Sequence, residues 1–183
     1  MIRFDIRHFE ELPSTNTLAQ KLAAEGAAEG TVLAAEYQTQ GRGKPGRKWE
    51  SPRGKNLLFS ISLRPDLPVA EAPMLTQIAC RSVAAVLKKE YGLAPTFKRP
   101  NDVLIHGKKI CGVLTETSSS GKKLEAVIVG IGLNVNASGK ELFEGSTSIQ
   151  EETGNETDKR VLLDQLLGQI APDIQRFYSK TKS

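Results

Sequence analysis

Cysteine, histidine and aromatic residues are scarce in this chain, and no long apolar run occurs. The 183 residues include two cysteines, two histidines and one tryptophan, with aromatics at 5%. Cys80 and Cys111 sit in apolar stretches without CxxC or zinc-like spacing. That argues against a disulfide framework and makes a reducing cytoplasm the expected compartment. His8 and His106 lack metal-ligand spacing and are expected on the surface. No Ser-His-Asp or Cys-His arrangement stands out, so covalent catalysis has no evident nucleophile. No segment reaches the ~18 apolar residues of a membrane span. The opening MIRFDIRHFEEL is charged throughout and holds no apolar signal-peptide core. A net charge of +4 permits an anionic ligand without calling for nucleic acid.

What is present is the length of one domain and, at 39% hydrophobic residues, enough apolar material for a core. Residues 2–12 can form an opening strand. Ser14, Thr15 and Asn16 offer N-cap oxygens to a helix whose Leu18 and Leu22 share a face and which Gly26 stops. Strands are expected over 31–37 and 56–63. The strongest helix spans 71–91, with Leu75, Ile78, Val83, Val86 and Leu87 on one stripe. Short strands follow: 96–99 into a Pro-Asn-Asp turn, then 103–105 and 109–117 as a hairpin around His106-Gly107-Lys108. Residues 118–121 read as a turn, 124–136 as a strand and 137–158 as polar loop. Asp158 caps a last helix that Pro172 should kink. These elements predict an α+β domain, one mixed or antiparallel sheet with helices packed on it.

The stretch QTQGRGKPGRKW, residues 38–49, cannot pack a core. Gly41 to Gly46 spell a literal GxGxxG after a strand, but no helix opens at the third glycine, so the dinucleotide fingerprint fails on context. Walker A spacing also fails, because Arg47-Lys48 stands where Lys-Ser or Lys-Thr is needed. Glycines let backbone N–H groups approach a ligand, and Arg42, Lys44, Arg47 and Lys48 supply positive charge. A phosphate, a carboxylate or both would fit; a solvated basic loop is the plain alternative. In KRPND, residues 98–102, Asn101 and Asp102 are turn residues or ligands of phosphate, ribose or metal. Lys109 enters the strand ICGVLTE, and GIGLN at 130–134 places glycines where a strand bulges or a ligand comes close.

Ser14-Thr15-Asn16, GRGKPGRKWESPRG, LLFSISLRP, KRPND, KKICGVLTE and GIGLNVN occur in the order seen in biotin protein ligases, which this chain resembles over nearly its whole length. The resemblance implies a class II synthetase-like catalytic domain filling residues 1–183; a helix-turn-helix is not expected, and the SH3-like β-domain usual in the family is expected to be absent. It implies ATP-dependent activation of biotin to biotinyl-5′-AMP, with Mg²⁺, and transfer to a lysine of a biotin carboxyl carrier protein. Ser14, Thr15, Asn16 and Gln38 would bind the biotin head group. Arg42, Gly43 and Lys44 would close over biotin's carboxylate and the phosphates, Arg47 would meet the phosphates, and Lys109 would stand at the carboxylate–phosphate junction. Asn101 and Asp102 would serve ATP, with Asp102 toward Mg²⁺; Gly112, Gly132 and Asn134 would shape the floor and adenylate pocket. Trp49 would pack under the loop or beside biotin's tail. Lys109, Arg42 and Asp102 are the expected catalytic set.

Two residues depart from the family pattern: Arg99 where Trp is usual, and Lys44 where Arg is common. The resemblance further implies a cytoplasmic enzyme with no DNA or membrane partner, and it allows a homodimer. A lipoate or octanoate ligase on a related fold is the nearest alternative. A basic module for nucleic acid is the other, though an aromatic-interleaved basic sheet is missing.

Overall fold

Alternating apolar residues along the strands decide which face of the sheet each helix covers. The computed structural model describes residues 2–181. Within them, β1 (Asp5–Phe9), β2 (Thr31–Ala35), β3 (Leu57–Leu63), β4 (Pro95–Lys98), β5 (Asp102–Ile105), β6 (Lys108–Ser120) and β7 (Lys123–Leu133) form one sheet. Its order is β1-β2-β3-β7-β6-β5-β4. β1 runs parallel to β2, and the other neighbouring pairs are antiparallel. The sheet is thus mixed, as expected.

The helices are α1 (Thr15–Ala24), α2 (Ala72–Tyr91), α3 (Ile149–Thr153) and α4 (Lys159–Thr181). Residues at every second position point to the same face of a strand. Phe59 and Ile61 of β3 and Val127, Val129, Ile131 and Leu133 of β7 therefore share one face. Leu75, Val83 and Leu87 of α2 and Leu162, Leu166 and Ile170 of α4 pack on it. Burying each such side chain contributes about 1.5–3 kcal/mol. On the opposite face, Leu33, Ala126 and Ile128 meet Ala19 and Ala23 of α1. α1 has only ten residues and covers part of that face. Further along β7 the same side carries Gly130 and Gly132, and there the cleft opens.

Four local outcomes differ from expectation or refine it. β1 stops at Phe9 because its ladder with β2 runs only from Asp5–Thr31 to Phe9–Ala35. The turn expected over 118–121 is narrower: β6 stays paired to Ser120, opposite Lys123, leaving Gly121-Lys122 as a two-residue hairpin turn with Gly121 at φ 59°. The stretch expected to be loop holds α3, capped by Ser148 Oγ accepting from Glu151 N at 3.0 Å and closed by Gly154 at φ 76°. That Ser-x-x-Glu pattern was legible in the sequence. Asp158 stands just before α4, its Oδ1 accepting from Arg160 N at 2.8 Å, and the helix continues through Pro172.

Candidate functional site

The floor of the cleft is made by three glycines on the two central strands. Gly112 of β6 pairs with Gly132 of β7, and Gly130 lies opposite Leu114. Each glycine makes room for another residue's side chain. A Cβ on Gly130 would stand 2.1 Å from Asn16 Oδ1. One on Gly132 would stand 2.5 Å from Trp49 Cε2, and one on Gly112 2.9 Å from Trp49 Cζ3. Trp49 therefore lies on the sheet beneath the loop. At the GIGLN glycines, where a bulge or a ligand was expected, the close neighbours are the protein's own Asn16 and Trp49 side chains.

A β-bulge decides where Lys109 points. Lys109 and Gly112 are an odd number of positions apart, so regular alternation would send them to opposite faces. The ladder with β5 shifts register: Val103 faces Cys111 while Leu104 faces Lys109, leaving Ile110 as the extra residue. Cys111 and Val113 then enter the core, and Lys109 joins Gly112, Leu114 and Glu116 on the cleft side. Lys109 Nζ lies 2.9 Å from Asp102 Oδ1 and 5.2 Å from the centre of the Trp49 ring. Asn101 donates its Nδ2 to Val113 O at 2.7 Å, and its Oδ1 is buried without a partner.

The N-terminus of α1 forms a polar shelf. Ser14 caps the helix through Thr17 N. Thr15 donates from N and Oγ1 to Gln38 Oε1 at 2.7 and 3.0 Å. Ser60 Oγ, from β3, lies 2.7 Å from Thr15 Oγ1 and 2.6 Å from Asn16 Oδ1. Asn16 Nδ2 donates to Leu114 O at 3.2 Å and to Glu116 Oε2 at 2.8 Å.

The glycine-rich loop folds back over this shelf. Trp49 N donates to Gly41 O at 3.0 Å, and Gly43 N to Arg47 O at 2.9 Å. A Cβ on Gly41 would lie 2.1 Å from Trp49 O, which explains a glycine there. Arg42 forms a two-pronged pair with Glu116, at 2.9 Å from Nη1 to Oε1 and 2.8 Å from Nη2 to Oε2. Among the described residues, Lys44, Arg47 and Lys48 have no side-chain hydrogen bond or ion pair.

Two adjoining cavities result. The first, about 90 Å³, is bounded by Ser14, Thr15, Asn16, Gln38, Arg42, Gly43, Lys44 and the glycine floor. The second, about 500 Å³, is bounded by Lys98, Leu104, Asn134, Phe143, Gly145 and Ser146. Arg47, Lys48, Trp49, Asp102 and Lys109 line both. The first is smaller than the ~300 Å³ usual for a small-molecule site, with Trp49 and Arg42 among the side chains that bound it.

Every residue expected to bind or react lines one of these two cavities, Asn134 only the second, whereas Arg99 borders neither and faces a separate groove with Phe97 and Arg81. Both ends of the Asn134 amide are occupied: Oδ1 accepts from Asn56 at 3.1 Å and Nδ2 donates to Thr147 O at 3.0 Å. It braces the wall. The sequence reading passed over Ser60, Glu116 and Phe143. Ser60 is one of two serines in the otherwise apolar strand LLFSISL, and Glu116 lies two positions beyond Leu114 on the cleft side of β6; those were the available signals. Cys80 and Cys111 are buried as expected. Burial pushes the Cys80 thiol up to about 12, with the nearby Asp102 charge adding to it, and raises Cys111 well above its ordinary value. Neither serves as a nucleophile at neutral pH.

The model of the Biotin/lipoate A/B protein ligase family matches residues 8–134. The chain is 37% identical over 164 residues to the bifunctional ligase/repressor BirA of Bacillus subtilis, spanning 87% of this chain and 50% of that protein. It is 39% identical over 160 residues to a biotin–(acetyl-CoA-carboxylase) ligase of Paracoccus denitrificans, spanning 84% of this chain and 66% of that one. It therefore covers between half and two-thirds of these relatives. A solved biotin protein ligase from Aquifex aeolicus, in complex with biotin and ATP, superposes with a TM-score of 0.81 at 32% identity, over 96% of this chain and 72% of that one. The order of motifs, the mixed sheet with its glycine-floored cleft, and these likenesses agree: the chain belongs to the biotin/lipoate A/B protein ligase family.

Proposed function

We propose that this chain activates biotin with ATP to biotinyl-5′-AMP and then passes the biotinyl group to a lysine of a biotin carboxyl carrier protein. One observation carries the reading: a neutral hydrogen-bonding shelf and a larger cation-rimmed cavity meet at Lys109 and Asp102. The groups lining the first cavity suit a molecule with a polar neutral head and a carboxylate tail, and those lining the second suit a nucleotide.

The two half-reactions follow from that placement. Thr15, Asn16 and Gln38 hold biotin's ring through their amide and hydroxyl groups, while Ser14 sets the helix end that presents them. Biotin's carboxylate oxygen attacks the α-phosphorus of ATP; the new P–O bond forms as the bond to pyrophosphate breaks. Two anions must meet, so stabilisation of charge dominates the barrier. Lys109 supplies it at the junction, held in place by Asp102 and the Trp49 ring. Arg42, Lys44 and Arg47, with Gly43 letting the backbone approach, cover the carboxylate and phosphates. In the second step a carrier lysine amine attacks the acyl carbon and AMP leaves. No enzyme nucleophile is required, which accords with two inert thiols.

Among the described residues no three His, Cys, Asp or Glu side chains gather as a metal cluster. Asp102 and the unpartnered Oδ1 of Asn101 offer two oxygens, which suits Mg²⁺, an ion that keeps waters and phosphate oxygens as its other ligands. When bound, it neutralises phosphate charge. The reading includes no DNA partner and allows a homodimer. It places the reaction in the cytoplasm, where Cys80 and Cys111 stay reduced.

The test uses purified protein, Mg²⁺ and ATP labelled at the α-phosphate, with biotin, lipoate or octanoate in separate tubes and no carrier. Labelled acyl-AMP with biotin alone is expected. Acyl-AMP with lipoate or octanoate instead would move the assignment to the related ligases, and its absence with all three acids would overturn the activity.

A further inference from the structure

The glycine-rich loop carries four cations, and among the described residues only the Arg42 side chain has a partner. Arg42 is held by Glu116 through two charge-assisted hydrogen bonds of 2.9 and 2.8 Å, the geometry in which guanidinium recognises carboxylate. Glu116 is fixed from the other side, since its Oε2 also accepts from Asn16 Nδ2 at 2.8 Å. The Glu116 side chain is 23% exposed and that of Arg42 41%. The carboxylate is thus mounted on the sheet, and Arg42 comes to it from the loop. One carboxylate joins the loop to the polar shelf through Arg42 and Asn16, both of which line the first cavity.

We infer that Glu116 is a resident stand-in for the substrate's carboxylate, and that binding proceeds by exchange of Arg42 from Glu116 to the incoming acid. This rests on the ligase reading for the identity of the acid, but the latch itself is a property of the ligand-free chain. Exchange replaces one Arg–carboxylate pair by another of the same chemistry. The cation is therefore never left unpaired in a partly buried site, and only ligands bearing a carboxylate or phosphate can take it over. A neutral analogue can occupy the shelf but cannot release the loop. Glu116 thereby acts as a positioning residue, opposing anionic ligands while keeping Arg42 at the site and ready for transfer.

Glu116→Gln separates these effects. Its amide oxygen still accepts from Asn16, while the charge that holds Arg42 is gone. Biotin and its neutral carboxamide are titrated calorimetrically into wild type, Glu116→Gln and Glu116→Asp, and each ligand-free protein is treated with trypsin. For Glu116→Gln we expect biotin to bind about two- to fivefold tighter, the size of a partly exposed ion pair, with carboxamide affinity unchanged. Cleavage after Arg42 should rise by a similar factor, and Glu116→Asp should stay near wild type in both assays. Weaker biotin binding by Glu116→Gln would overturn the exchange, as would an equal shift for biotin and carboxamide. An unchanged rate of cleavage after Arg42 would overturn the latch. Should Glu116→Gln not fold, Arg42→Lys takes its place: it keeps the charge, loses the two-pronged geometry, and should show the same rise in cleavage after residue 42. If wild type binds no biotin, the ligase reading falls, while the trypsin comparison still decides the latch.

Discussion

On the sheet side of the cleft, Asn16, Ser60, Asn101, Asp102 and Lys109 each hold a partner on the protein, and two of the floor glycines are filled from above by Trp49 and one by Asn16. On the loop side, Lys44, Arg47 and Lys48 hold none among the described residues, and Arg42 is tied only to Glu116. The first region is organised before any ligand arrives. The second has its charge in place but lacks the counter-charge that would order it. Such a division suits a reaction that joins two anions. In the proposed reaction the partnered groups would set the geometry of the reacting atoms, and the loop cations would supply neutralisation when the phosphates enter.

Substitutions on the two sides should therefore fail differently. Lys109→Ala is expected to lower the rate of adenylate formation by about 10²–10³-fold, as for loss of a charge-stabilising group, with little change in melting temperature. Single-turnover assays with labelled ATP and circular dichroism would check both halves. A rate near wild type would remove Lys109 from the chemistry. Gly130→Ala should act on the same side through sterics. Its methyl would meet Asn16 Oδ1 at 2.1 Å, so we expect a loss of about 1–3 kcal/mol in urea unfolding together with weakened biotin binding. Arg42→Ala belongs to the loop. It should leave stability unchanged and speed release of the adenylate about tenfold, the order of one hydrogen bond to a charged group, as read by a chase with unlabelled biotin. An unchanged release rate would mean that the loop does not retain the intermediate. Lys44→Arg should be the mildest: a guanidinium regains two-pronged contact with phosphate, slowing release by about two- to threefold. Finally, iodoacetamide at pH 8 should leave Cys80 and Cys111 unlabelled in the native protein, since burial holds both thiols protonated; rapid labelling would show that the core behind Lys109 opens readily.

Much of this was legible without a structure. The apolar stripe of α2, the cap at Ser14, the hairpin around His106-Gly107-Lys108 and the stop at Gly26 follow from short-range pattern, and each is present. The cations and glycines of residues 41–48 were equally plain, and the order of the motifs around them favoured a ligand site over a solvated basic loop. Misread boundaries fell where a partner strand set the limit, as at Phe9 and Ser120, or where a helix of five residues lay inside a polar stretch.

The sequence by itself determined the order of the longer elements and the charge of the loop. Both depend on residue type and on spacings of two to four positions, which the chain enforces locally. Only the tertiary structure decided that Lys109 faces the cleft, that Asn134 serves as a brace, and that Glu116 holds Arg42 across 74 positions of sequence. Those outcomes turn on strand register and one bulge. A shift of a single residue there exchanges core for cleft, because side chains alternate faces with a period of two.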